Sequence, residues 1–85
     1  MIKNRYIGKF TIPRKMINDR PSMVLDIMNG MIVLKADLMP DRDCFEYLAI
    51  SSKHFRGVAY GEAAPEYELK WLDVGQNSFE FREIT

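Results

Sequence analysis

The sequence predicts a small, mostly β protein: an antiparallel meander sheet or open barrel of five or six short strands, with one short helix as the main variant. Three observations predict it. Apolar residues recur with the two-residue period of strands over much of the chain. Turn-forming residues punctuate those runs at Pro13, Asn29-Gly30, Pro40 to Asp43 and Gly75 to Asn77. The length of 85 residues suits a single domain with one modest core, and 47% apolar with 28% charged residues is the balance of a folded globular chain.

The first strand is expected over residues 5–12, which are rich in β-formers and would place Tyr6, Gly8, Phe10 and Ile12 on one face. A glycine inside a strand signals a bulge or a close backbone approach. Pro13 ends the strand, and Asn18, Asp19, Pro21 and Ser22 mark residues 14–22 as turns. Residues 23–36 read as a hairpin about Asn29-Gly30, the dipeptide of a type I′ turn. Met28 then faces Met31, Ile27 faces Ile32 and Leu25 faces Leu34, which puts an unbroken apolar face on the core, with Asp26 and Lys35 on the other side. The rival reading is a short helix capped by Ser22 and closed by Asn29-Gly30. Residues 31–38 are a strand in either case.

Pro40 to Asp43 forms a turn, and residues 44–51 follow as a strand. Phe45, Tyr47 and Ala49 lie on one side of it, and Cys44, Glu46, Leu48 and Ile50 on the other, and apolar residues on both sides belong to a central strand. Residues 52–65 show no periodicity. Residues 67–74 and 78–84 make a closing hairpin. A three-residue loop would set Trp71 opposite Phe81, and a two-residue turn would set Leu72 there.

Composition bounds function more than it specifies it. The single cysteine, Cys44, cannot form an internal disulfide, and no apolar run approaches the length of a membrane span. The opening residues lack the apolar stretch of a signal peptide. A cytoplasmic protein without membrane contact is expected. Net charge is zero, but residues 1–21 hold six cations against Asp19, and residues 62–85 hold six carboxylates against Lys70 and Arg82. These segments either neutralise each other across the fold, or the basic one forms a patch for an anionic partner.

No set of residues announces catalysis. Cys44 and His54 are unique of their types, yet no third group is marked to orient the imidazole. Asp37, Asp41, Asp43 and Glu46 lack the spacing of a calcium loop, and Gly57 and Gly61 do not form a phosphate loop. No cofactor or metal is expected, and the chain is not expected to be an enzyme.

The reading that remains is a protein-binding module, an accessory or inhibitor protein of the kind mobile elements encode, acting through a surface loop and a sheet edge. The loop residues Lys53, His54, Phe55, Arg56 and Tyr60 gather the cationic and aromatic types that dominate interface hot spots. A homodimer is expected, because a small core leaves strand edges unpaired. The alternative is nucleic-acid binding through Lys3, Arg5, Lys9, Arg14 and Lys15. Zero net charge weighs against it.

Overall fold

The computed structural model describes residues 4–73 and 78–84. The chain runs through β1 (Asn4–Arg5), β2 (Ile7–Pro13), α1 (Arg14–Asp19), α2 (Pro21–Met28), β3 (Ile32–Met39), β4 (Cys44–Ile50), β5 (Val58–Ala59), β6 (Tyr67–Asp73) and β7 (Ser78–Glu83). Among the described residues the strands form three antiparallel sheets: β2-β4-β3, β6-β7 and the short pair β1-β5. The fold is mostly β and antiparallel, as the sequence predicts. Among the described residues no helix is long and apolar enough to cross a membrane.

β4 occupies the centre of the three-stranded sheet, which its two apolar faces require. It pairs with β2 from Pro13↔Cys44 to Ile7↔Ile50 and with β3 from Met39↔Cys44 to Ile32↔Ile50. The β3–β4 connection turns at residues 40–43. The Arg42 N–H donates to the Met39 carbonyl at 3.1 Å, and Asp43 takes a positive φ of 51°. Asp tolerates that conformation better than most residues do.

The N-terminal strand breaks at Tyr6. There the chain leaves β5 for β4, and the Tyr6 carbonyl accepts from the Ser51 N–H at 2.8 Å. Tyr6 is therefore exposed instead of sharing the core face, while Ile7, Phe10 and Ile12 are buried.

The expected turns at 14–22 and the expected hairpin at 23–36 are both overturned, because residues 14–19 and 21–28 are helical. Pro21 stands at the first helical position of α2, where its fixed φ is already helical and its missing N–H is not needed. The helix thus begins one residue before Ser22, and neither helix has a side-chain cap. Helices this short are held by packing. Met23 and Ile27 are buried one turn apart, and Val24 and Met28 pack beside them. Leu25, placed on the core face by the hairpin reading, is 70% exposed, and Leu34 is 51% exposed. Asn29-Gly30 does turn the chain, but as a type II turn. Asn29 is extended (φ −66°, ψ 126°), only Gly30 has positive φ, and the Met31 N–H donates to the Met28 carbonyl at 3.2 Å.

The closing hairpin adopts neither expected register. Leu69 lies opposite Phe81 and Trp71 opposite Phe79, with a shift between Trp71 and Asp73. The expected turn at 75–77 lies outside the described residues. This register puts Tyr67, Leu69, Phe79 and Phe81 on the face that meets the β2–β4 core, so aromatic packing decides it. The two sheets are joined where the Lys9 N–H donates to the Pro65 carbonyl at 2.9 Å.

The core is an aromatic cluster. Phe10 stacks on Tyr47 at 5.4 Å and meets Phe81 edge-on at 4.9 Å, while Phe55 lies 4.8 Å from Tyr67 and 5.3 Å from Phe81. Gly8 makes this packing possible. A Cβ on Gly8 would stand 2.7 Å from Cδ1 of Phe55, so the glycine makes room for a side chain instead of the bulge or close backbone approach expected of it.

Two predictions follow from this core. Gly8→Ala should destabilise by about 1–3 kcal/mol through overpacking. Adding Phe55→Leu should recover part of that loss, so chemical denaturation of the two single variants and the double variant should show non-additive energies. Ile27→Ala should cost about 2–5 kcal/mol, whereas Leu25→Asp should stay within about 0.5 kcal/mol of the parent. A hairpin at 23–36 would demand the reverse order in thermal melts.

Candidate interaction surface

The loop after β4 is built from the inside. The Phe55 N–H donates to the Ser51 carbonyl at 3.1 Å, and the buried Ser51 hydroxyl donates to the Gly30 carbonyl at 3.2 Å. Phe55 is 4% exposed and fills the space over Gly8, so it holds the loop down and presents nothing to a partner. His54 is half-buried, 5.5 Å from Phe79 and 5.1 Å from Phe81. Burial among these rings, and secondarily the charge of Lys53, hold its imidazole below its ordinary pKa.

Arg56 is engaged at both ends. Its backbone N–H donates to the Tyr67 hydroxyl at 3.0 Å, and its guanidinium grips Glu83 through Nε at 2.7 Å and Nη2 at 3.2 Å. The bidentate pair ties the loop to β7, raises the Arg56 pKa and lowers that of Glu83. Lys53 is exposed, as is Tyr60, whose ring lies 5.3 Å from the Arg5 guanidinium carbon. Arg5 also donates to the Glu62 carbonyl at 2.8 Å. The structure therefore joins one residue of the basic segment to the loop.

The other basic residues do not form a stripe. Arg14 pairs with Asp43 at 2.9 Å. Lys9 lies in a shallow groove on the outer face of the sheet, with Lys35, Asp37, Glu46 and Leu48. Lys15 is exposed on α1, and Lys3 lies outside the described residues. Alternating charges of this kind suit a solvated protein surface better than a phosphate backbone.

Cys44 and His54 have different surroundings. Cys44 is buried at the start of β4, opposite Pro13 and Met39, while His54 packs on the β7 aromatics. Of the acidic group, Asp43 is paired with Arg14, and Asp37 lies 3.3 Å from Lys35. Among the described residues no cluster of three or more His, Cys, Asp or Glu is placed to hold a metal ion.

The most conspicuous surface is one that the residue types of the loop do not signal. β3 is the edge strand of its sheet, and Ile32 to Leu38 are all exposed, with Ile32 at 65% and Leu38 at 51%. It is also an eight-residue strand whose outer peptide groups have no neighbouring strand among the described residues. The sequence does signal the edge indirectly, since residues 32–38 carry apolar side chains on both alternating sets, broken only by Lys35 and Asp37. That pattern can belong to a strand covered on both faces or to one awaiting a neighbour. Comparison of the chain with protein-family models, curated proteins and solved structures finds no match.

The half-buried imidazole makes stability depend on pH. The folded pKa of His54 lies below the ordinary 6.5, so the unfolded chain takes up the proton first as pH falls. Its contribution is intact above pH 6.5 and is lost as the pH drops through the lowered folded value. Denaturation curves over that window should show falling stability for the parent chain and a flatter response for His54→Phe. An equal slope in both would place the titrating group elsewhere.

Proposed function

We propose that this chain is a small, non-catalytic protein-binding module, an accessory or inhibitor protein whose principal contact is the β3 edge. The observation that carries the reading is the exposure of that strand. Proteins that keep an edge unpaired guard it with short strands, prolines, charges or bulges. β3 has eight residues, no proline inside it, and one lysine whose charge Asp37 offsets at 3.3 Å. A register irregularity between Val33 and Lys35 is its only bulge, and residues 35–39 pair regularly with β4. Exposed apolar side chains beside free peptide groups suit the addition of a strand from a partner, with the backbone supplying affinity and the side chains specificity. The exposed loop residues Lys53 and Tyr60 supply a second, smaller set of contacts.

Ala36→Pro tests the edge directly. Proline is tolerated in an edge strand when its missing N–H faces solvent, so the variant should keep a cooperative melt yet lose the added strand. Immobilised parent chain should capture a partner from native lysate, identified by mass spectrometry, that the folded Ala36→Pro variant does not hold. Equal capture by both would move the contact away from β3.

A further inference from the structure

The occupant of the β3 edge follows from its backbone direction and its charges. The Lys9 N–H points away from β4, since it donates to the Pro65 carbonyl at 2.9 Å. Lys9 lies opposite Leu48. In an antiparallel ladder, residues alternate between bonding the partner strand and turning from it. Leu48 therefore turns its peptide groups to the other side, toward Lys35 of β3. The Ser51 N–H, which donates to Tyr6 on the β2 side, agrees with this alternation. Along the regular part of β3, Lys35, Asp37 and Met39 then bond β4. Ala36 and Leu38 direct their N–H and C=O groups to the free edge.

We propose that this edge pairs with β3 of a second copy, antiparallel about a two-fold axis through Ala36, so that the two three-stranded sheets become one sheet of six strands. The inference rests on the reading of β3 as a contact edge and names what sits there. Self-pairing must set outward residues opposite outward residues, which leaves few registers. With Ala36 opposite the partner's Leu38, Asp37 would face its own copy. The register that sets Lys35 opposite the partner's Lys35 would bring two ammonium groups together. Like charges directly opposite each other destabilise a sheet. With Ala36 opposite the partner's Ala36, Lys35 faces the partner's Asp37 and Asp37 faces the partner's Lys35. These are non-hydrogen-bonded pairs, in which side chains stand closest. The edge is thus complementary to itself in the outward peptide groups of Ala36 and in charge.

The test exploits the crossed charges. Sedimentation of the parent chain over a concentration series should show a species of twice the 9.9 kDa chain mass. Lys35→Glu alone opposes two carboxylates at each crossing, and Asp37→Lys alone opposes two ammonium groups. Each should weaken dimerisation by at least about tenfold, with the fold retained. Mixing the two variants restores an opposite-charge pair at both crossings, so a heterodimer should form with close to the parent affinity. Recovery in the mixture also shows that neither variant failed through misfolding. Two results overturn the proposal: a parent chain that remains a 9.9 kDa species at hundreds of micromolar, or a dimer indifferent to both charge variants. If the parent is monomeric and Ala36→Pro still abolishes capture of another protein, the self-pairing falls while the reading of β3 as a contact edge stands.

Discussion

Gly8 has no side chain, and the ring of Phe55 occupies the space where one would stand. Much of the fold depends on that contact. Phe55 comes from a loop without regular structure, yet it touches β2 through Gly8 and reaches Tyr67 of β6 and Phe81 of β7. A single buried ring so joins two sheets that share little backbone pairing. In a chain of 85 residues the surface available for burial is small, and aromatic rings bury the most area per residue. The glycine lets such a ring sit flush on the sheet.

The same economy explains what remains uncovered. The two-stranded sheet and α2 pack on the face of β2 and β4 that carries Phe10, Ile12, Tyr47 and Ala49. Ala36 and Leu38 stand beside Tyr47 and Phe45 on that face, one strand further out, and they are exposed. β3 is thus joined to the molecule by its ladder with β4 more than by its side chains. Its apolar residues keep their hydration cost until something covers them, which is the physical basis for reading the strand as a contact surface.

Electrostatics shapes the surface more than the core. The opposed charge of the two ends of the sequence is met locally. Arg14 finds Asp43, Arg56 finds Glu83, and Arg5 uses a backbone carbonyl and the face of Tyr60. Of the loop residues marked by type, Phe55 and Arg56 are committed to the fold and His54 is half absorbed by it, which leaves Lys53 and Tyr60 for contact. A hot-spot composition and a core plug draw on the same residue types, so type alone does not separate them.

By itself the sequence determined the class of fold and several local features: the central place of residues 44–50, whose two apolar faces need cover on both sides, and the turns at 29–30 and 40–43. It left undecided whatever depends on which neighbour an apolar residue meets. Met23 and Ile27 are two strand periods apart and also one helical turn apart, so alternation and helical spacing fit the same letters. Only the core that received them, with Pro21 ready to start a helix, selected α2. The register of the last hairpin was likewise decided by Phe81 reaching Phe10 and Phe55, contacts many residues away in the chain. The exposure of β3 lay furthest from the sequence. A strand apolar on both faces reads the same whether it is covered or not, and the cover is a property of the assembled sheets.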